Sequence, residues 1–197
     1  MSCLSTGRTL PWLLAWAEIR SLAILSPLQA GTLLNSPSGR QLVLTARHCL
    51  GGAQETGYIN FVFNFQRPCG GGSYGSFLDS AQGARTLWSD PAYDILLLEI
   101  IEKIPSSYGA YMAGWDAGLD TAPVEAAVVH HPAGDFKKVS VVSSPWNTPV
   151  VTSSYFLVQY SMGTTEKGSS GSALFDKQSR KARFLAGNLP GSSRAEP

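Results

Sequence analysis

The sequence predicts an all-β protein, either a barrel or a sandwich, from three observations. Short apolar runs of strand-like composition recur, with turn-forming residues between them roughly every 8–15 residues. Helical periodicity is scarce, and no internal repeat is present. The 197-residue length suits one domain, or two small barrels packed as one unit, since all-β folds run to roughly 200–250 residues as a single domain.

The first three predicted strands are short apolar runs near the N-terminus. Residues 21–25, 31–34 and 41–45 are rich in Leu, Ile, Val and Thr and are predicted to be strands. Pro27 separates the first from the second, and the turn-forming segment at 35–39 separates the second from the third.

The middle of the first half alternates with period two. Over residues 58–65 this alternation places every second side chain on one face: Ile59, Phe61, Phe63 and Phe65. A glycine-rich loop follows at 68–75, and after the turn at 89–91 the apolar run at 95–98 predicts a buried strand.

The second half repeats the style of the first. Its strand-like runs lie at residues 124–129, 138–142, 155–160 and 173–175, and one further strand is possible within 182–189. The approximate boundary between the two halves is predicted near residues 105–118. This spacing is typical of an all-β barrel or sandwich.

Composition excludes several function classes. Lys and Arg number 15 against 14 Asp and Glu, and no basic block occurs, so binding to nucleic acid by counter-ion release or to membranes by a basic patch is not expected. Because 44% of the residues are hydrophobic, the chain is not disordered. No stretch approaches the length of about 18 apolar residues that spans a bilayer.

The chain has three cysteines, Cys3, Cys49 and Cys69, which cannot all pair with one another. One bridge with one free thiol, or three reduced thiols, both remain open. No C-x-x-C pair suggests zinc.

The apolar run at 10–17 follows Arg8 and loosely resembles the core of a signal peptide. It is short, and Glu18 and Arg20 follow at once. We therefore expect this run to form the first helix turn or strand of the domain, and we find no convincing signal peptide in the sequence.

Three residues together indicate nucleophilic catalysis. His48 follows the end of an apolar strand, Asp94 precedes another, and Ser170 lies in the segment Gly-Ser-Ser-Gly-Ser at 168–172. Each alone is usually structural. In combination, an imidazole can take the proton of a serine hydroxyl while a carboxylate orients the ring. The order His, Asp, Ser along the chain is that of the chymotrypsin arrangement.

The segments around these residues resemble trypsin-like serine proteases. Thr-Ala-Arg-His-Cys at 45–49 is similar to the motif around the catalytic histidine, Asp-Ile-Leu-Leu-Leu-Glu at 94–99 to the aspartate strand, and 168–172 to the nucleophile segment. Three further segments resemble the lysyl endopeptidase branch: Ala-Gly-Trp-Asp at 113–116, the His-His-Pro segment at 130–140, and Gly-Thr-Thr-Glu-Lys at 163–167. The resemblance runs from about Glu18 to about Gly191.

This resemblance implies a fold of two antiparallel Greek-key β-barrels of chymotrypsin type. The first would span 18–110 and carry His48 and Asp94, and the second would span 111–197 and carry Ser170, while 1–17 stays unassigned. We expect the second barrel to be incomplete at its C-terminus, because only residues 171–197 follow the serine. The carboxylate that would select lysine is absent, so the resemblance does not imply lysine specificity.

The resemblance also implies roles. His48 would be the general base and acid, Asp94 the orienting carboxylate and Ser170 the nucleophile, with the backbone N–H groups of Gly168 and Ser170 forming the oxyanion hole. The reaction would be hydrolysis of a peptide bond in a protein or peptide substrate through an acyl-enzyme, with no cofactor and no metal. A secreted or extracytoplasmic monomer is expected. Ser169 stands where animal members carry an Asp that binds a new N-terminus, so that activation switch is not expected.

The cysteines depart from the family pattern. The partner of the cysteine after the catalytic histidine would lie near Gln29 or Ala30, and neither is Cys, so Cys49 lacks its family partner. A Cys3–Cys69 pair remains possible by resemblance.

Two other features have structural interpretations. His130 and His131, with Asp135 nearby, could suggest a metal site, but neighbours on a strand point to opposite faces, which favours a structural loop. Residues 115–116 are interpreted as a packing and turn element.

Two alternatives to an active endopeptidase remain. The chain could be a catalytically inactive or truncated protease homologue that acts as a protein-binding module, or a fragment that does not fold alone.

Overall fold

A computed structural model of the protein describes residues 22–25, 29–50, 56–67, 79–117, 125–146, 157–177 and 181–184. The N-terminal segment 1–17 with its apolar run, the cysteines Cys3 and Cys69, and the residues after Phe184 lie outside these ranges.

The first sheet contains seven strands: β1 (Leu22–Leu25), β2 (Gln29–Leu34), β3 (Leu42–Ala46), β4 (Asn60–Val62), β5 (Ser80–Gln82), β6 (Ala84–Asp90) and β7 (Ile95–Ile100). Their order across the sheet is β5-β4-β1-β2-β3-β7-β6, and all neighbours are antiparallel. The two outer strands, β5 and β6, follow each other directly in the chain through Gly83. The sheet therefore curls round and closes on itself as a barrel.

The second sheet contains five strands: β8 (Ala126–His130), β9 (Lys138–Trp146), β10 (Leu157–Met162), β11 (Ala173–Asp176) and β12 (Ala182–Phe184). Their order is β10-β9-β8-β11-β12, again antiparallel throughout. In the described ranges, helical structure is limited to four 3₁₀ turns of three or four residues. The all-β prediction is confirmed.

Alternating side chains build the first core. Strand β7 turns Leu96, Leu98 and Ile100 into the interior of the first sheet, where they pack with Phe61 and Phe63. Of the four residues predicted to share a face, Ile59, Phe61 and Phe63 are buried and Phe65 is half-buried. The strand itself covers only Asn60–Val62. Asn64, with φ 57°, ends the extended backbone after Phe63.

A second cluster joins the two sheets. From the first sheet it takes Ala30, Leu34 and Leu44, and from the second Val129 and Phe175. Many of its members are alanines, whose small side chains let the sheets approach closely. Bridges from Leu34 to Ala113 and from Trp115 to Ala182 continue this junction. The loops that carry the predicted site residues meet along it.

Candidate active site

The pairing of β3 with β7 brings His48 and Asp94 together. Ala46, the last residue of β3, lies opposite Ile95, the first of β7. Because the strands are antiparallel, the residues just beyond the end of β3 lie beside those just before the start of β7. His48 and Asp94 are 46 positions apart in the sequence, and the pairing of the two strands makes them neighbours.

Asp94 binds His48 with both carboxylate oxygens. Oδ2 lies 2.5 Å from His48 Nδ1, and Oδ1 accepts the backbone N–H of His48 at 2.8 Å. The Asp94 carbonyl accepts the N–H of Arg47 at 2.9 Å. Asp94 has φ 55°, a conformation that costs energy for a residue with a side chain, and these three contacts hold it.

This geometry sets the tautomer of His48. A carboxylate can only accept, so Nδ1 carries the hydrogen and the neutral ring keeps its lone pair on Nε2. The His48 side chain is 49% exposed, so Nε2 is available to take a proton from an incoming group. The pair can therefore act as an oriented general base.

Ser170 lies in a tight turn at residues 168–172, the serine turn, which packs against the first sheet. Gly168 and Gly171 on either side have φ of 92° and 85°, which glycine adopts without strain. A Cβ on Gly171 would lie 2.2 Å from the Ala30 carbonyl oxygen and 2.3 Å from Thr45 Oγ1. Only glycine fits where the turn of the second sheet meets β2 and β3.

Cys49 lies between the histidine and the serine. Its Sγ is 3.9 Å from His48 Nε2 and 3.8 Å from the Ser170 carbonyl oxygen. Within the described residues, no hydrogen bond joins the Ser170 hydroxyl to His48. The structure thus brings His48 and Asp94 into direct contact, and places Ser170 beside them across the Cys49 sulfur.

Gln29 occupies the place opposite Cys49. The thiol donates to Gln29 Oε1 at 3.2 Å, in agreement with the expectation that the missing cysteine partner would fall near this position. Burial raises the pKa of Cys49 to about 11. Because the thiolate is the nucleophilic form, Cys49 is a poor nucleophile at neutral pH.

The two adjacent histidines bind different partners. His130 contacts Ser169 Oγ through Nδ1 and Ser140 Oγ through Nε2, while His131 Nδ1 donates to the Asp135 carbonyl at 2.9 Å. Burial lowers the pKa of each histidine to about 4. The two His130 nitrogens are both occupied, which leaves this ring no lone pair for a metal. The described ranges hold no group of three or more His, Cys, Asp or Glu that could bind one.

Trp115 and Asp116 take part in the junction between the sheets. Trp115 Nε1 donates to the Asn35 carbonyl at 3.2 Å, and the Asp116 N–H donates to the Ala182 carbonyl at 3.1 Å. These contacts agree with a packing and turn element.

The sequence interpretation missed the polar network behind the serine turn. His130 and Ser140 are each about 1% exposed, on strands that are otherwise apolar. A buried polar side chain needs a hydrogen-bond partner. That requirement was the available clue, since His130 ends the run Ala-Ala-Val-Val and Ser140 interrupts Val-Ser-Val-Val.

No helix in the described ranges has the length and apolar character needed to cross a membrane.

Solved structures place this architecture in the chymotrypsin-like protease fold. The scabies mite inactivated protease paralogue S-I1 matches with a TM-score of 0.66 and 14% identity, over 91% of this chain and 88% of that one. The HtrA-type protease AlgW with a decapeptide matches with a TM-score of 0.53 and 17% identity, over 84% of this chain and 44% of that one. At such identities the likeness shows the fold alone, and the fold serves both a protease and an inactivated paralogue.

Sequence comparison gives the family. Residues 19–196 match the family described as lysyl endopeptidase, C-terminal domain, and the chain belongs to it. A lysyl endopeptidase of Pseudomonas aeruginosa is 30% identical over 169 residues, which cover 82% of this chain and 36% of that protein. The chain therefore corresponds to about a third of the length of this relative.

Proposed function

We propose that this chain is a serine endopeptidase in which His48, Asp94 and Ser170 form the catalytic triad. The observation that carries the proposal is the bond of 2.5 Å from His48 Nδ1 to Asp94, beside a glycine-flanked serine turn. In the proposed division, the barrel at 18–110 supplies the histidine and aspartate and the barrel at 111–197 supplies the serine. Family membership supports this chemistry.

In the first step, Ser170 Oγ attacks the carbonyl carbon of a peptide bond as its proton passes to His48 Nε2. Asp94 holds the ring and stabilises the imidazolium that forms. The carbonyl oxygen becomes an oxyanion, which in this proposal accepts hydrogen bonds from the backbone N–H groups of Gly168 and Ser170. One such donor is worth about 2.7–4 kcal/mol of the activation barrier.

In the second step, His48 gives its proton to the leaving amine, and an ester on Ser170 remains. Water then attacks this acyl-enzyme with His48 as base again, which releases the acid and restores the serine. Every group in this scheme comes from the chain, the substrate or water, so the reaction requires no cofactor. One copy of the chain supplies all the residues that this hydrolysis of protein or peptide substrates requires.

The proposal requires a hydrogen bond between the Ser170 hydroxyl and His48 Nε2 to form when substrate binds. Catalytic hydrogen bonds are often long or poorly aligned in a free enzyme and tighten in the substrate complex. The His48 side chain is half-exposed, so its ring is not fully enclosed by neighbouring side chains.

The test is covalent labelling. A fluorophosphonate probe should modify Ser170 in the full chain, identified by peptide mass spectrometry, and casein should be cleaved. The Ser170→Ala variant is the matched control and should show neither. A folded wild-type chain that stays unlabelled at high probe concentration would refute the proposal.

A second candidate function is a non-catalytic, protein-binding homologue. It is favoured by the lack, among the described residues, of a hydrogen bond from the Ser170 hydroxyl to His48, whose Nε2 lies 3.9 Å from the Cys49 sulfur. For this candidate, the chain would fold cooperatively, remain unlabelled and bind a peptide or protein equally well with Ser170 or Ala at that position. Casein cleavage that disappears in Ser170→Ala would exclude it.

A further inference from the structure

The serine turn is held from behind by a buried histidine. His130, at the end of β8, is 1% exposed, and its Nδ1 lies 2.8 Å from Ser169 Oγ. On its other side, Nε2 lies 3.0 Å from Ser140 Oγ on β9. The ring therefore links the turn that carries the nucleophile to the paired strands of the second sheet.

The direction of every hydrogen in this chain of contacts follows from its ends. Ser140 donates its hydroxyl hydrogen to the Thr164 carbonyl at 2.9 Å, so it must accept from His130 Nε2–H. The neutral ring then has a lone pair on Nδ1, which accepts the Ser169 hydroxyl hydrogen. Ser169 Oγ in turn accepts the backbone N–H of Glu166 at 3.2 Å.

Ser169 stands between the two groups proposed to bind the oxyanion. Its own N–H donates to the Glu166 carbonyl at 3.0 Å, and its carbonyl accepts the N–H of Ser172 at 3.2 Å. Gly168, with φ 92°, has no side chain that would resist rotation of its peptide units. The side-chain bond from Ser169 to His130 adds a contact outside the turn to these backbone hydrogen bonds.

We propose that His130 is a positioning residue, which keeps the backbone N–H groups of Gly168 and Ser170 aimed at the oxyanion by holding Ser169. The inference rests on the proposed function, because it assigns a task within that reaction. His130 touches neither substrate nor the reacting atoms, and it acts only through the Ser169 hydroxyl. The neutral tautomer with hydrogen on Nε2 is the form that does so.

Protonation would reverse the bond to Ser169. An imidazolium donates at both nitrogens, so the Ser169 hydroxyl hydrogen would lose its acceptor. The titratable and charged groups around the ring are His131 beside it, Lys138 opposite it on β9, Asp135 paired with Lys138, and Glu166, whose N–H is bonded to Ser169. Burial, with the charges of His131 and Lys138, lowers the pKa of His130 to about 4, which keeps the ring neutral at physiological pH.

The first experiment measures the tautomer without relying on activity. Long-range ¹H–¹⁵N spectra of the full chain carrying Ser170→Ala identify which ring nitrogen of His130 bears hydrogen. We expect Nε2–H at pH 7, and backbone resonances of Gly168 and Ser169 that shift with the midpoint of His130 on acidification. Hydrogen on Nδ1, or serine-turn resonances that ignore the His130 titration, would overturn the proposal.

The second experiment compares rates of fluorophosphonate labelling at pH 7. His130→Leu and Ser169→Ala should slow labelling by about 10²-fold, the scale of losing one oxyanion donor. His130→Asn should recover most of the rate, since its amide oxygen can accept the Ser169 hydrogen in place of Nδ1. His131→Leu is the matched control, equally buried but bonded to Asp135, and should stay within a few-fold of wild type.

The outcomes separate the two proposals. Equal rates in His130→Leu and His131→Leu, with rapid labelling of wild type, would overturn the role of His130 and leave the endopeptidase intact. A folded but unlabelled wild type would overturn the endopeptidase and the positioning role with it. If His130→Leu does not fold, the Ser169→Ala labelling rate and the tautomer measurement still test the positioning role of His130.

Discussion

Replacing Gly171 by alanine tests how tightly the serine turn is joined to the first sheet. The new methyl group would lie 2.2 Å from the Ala30 carbonyl oxygen and 2.3 Å from Thr45 Oγ1. Those two atoms are themselves hydrogen-bonded to each other, at 2.8 Å. The methyl cannot be accommodated unless the turn separates from β2 and β3.

The size of the effect follows from three contributions. A side chain at φ 85° costs about 1–2 kcal/mol. Overpacking against backbone adds about 1–3 kcal/mol. A buried donor or acceptor left unpaired, when the Thr45–Ala30 bond opens, adds about 1–3 kcal/mol. We expect Gly171→Ala to lower the free energy of unfolding by roughly 3–8 kcal/mol, a large part of the 5–15 kcal/mol typical of a domain.

Gly39→Ala is the matched control. Gly39 has φ 70°, but a Cβ there would meet nothing within 4 Å, so only the backbone term of about 1–2 kcal/mol applies. Urea unfolding followed by circular dichroism compares the two variants with wild type. If Gly171→Ala lies within about 1 kcal/mol of Gly39→Ala, the contact geometry assigned to the turn is wrong. A Gly171→Ala chain that does not fold, beside a folded Gly39→Ala, would agree with it.

Three further predictions concern acid stability, the free thiol and the aspartate. Burial lowers the pKa of His130 and of His131 to about 4, whereas a histidine in the unfolded chain has a pKa of about 6.5. Between pH 4 and pH 6.5 the unfolded chain therefore binds more protons than the folded chain. The free energy of unfolding should therefore stay level above about pH 6.5 and fall by about 1.4 kcal/mol per pH unit for each histidine as the pH drops toward 4, measured by urea titration. Gln29→Cys should form a disulfide with Cys49, whose thiol contacts Gln29, and raise the free energy of unfolding by about 3 kcal/mol until a reductant is added. Asp94→Asn should lower kcat about 10⁴-fold with little loss of stability, measured by peptide hydrolysis beside thermal unfolding.

Each of these has a contradicting result. Unfolding curves that coincide at pH 7 and pH 5 would show that the histidines are not held neutral by the fold. A Gln29→Cys chain of unchanged stability in oxidant would place the two side chains too far apart. An Asp94→Asn chain as active as wild type would remove the aspartate from the mechanism.

Local patterns predicted the strands where one face is buried. The run predicted at 95–98 is β7, Ile95–Ile100, because alternating burial is encoded in neighbouring residues. Strand β6, Ala84–Asp90, was not predicted, since most of its side chains face solvent. It forms because β7, the next strand of the chain, supplies its hydrogen-bond partners, and backbone pairing leaves no hydrophobic alternation in side chains that face solvent.

In the candidate site, too, residue types could be predicted from the sequence, while contacts between distant residues could not. The motifs around His48, Asp94 and Ser170 pointed to these residues before any contact was known, because a nucleophile, a base and an orienting acid are recognisable by type and order. The bond between His48 and Asp94 could not be measured from the sequence, because the register of β3 on β7 creates it.

Two features of the site depend on tertiary structure alone. The Cys49 sulfur at His48 Nε2, and the link from Ser169 through His130 to Ser140, join segments that meet only when the two sheets and the serine turn pack together. Composition and pattern determined the strand-rich architecture and the chemistry available to this chain, because residue type and periodicity are local properties. The distances between its reactive groups were decided by folding, because hydrogen-bond partners far apart in sequence become neighbours only through strand register and the junction of the sheets.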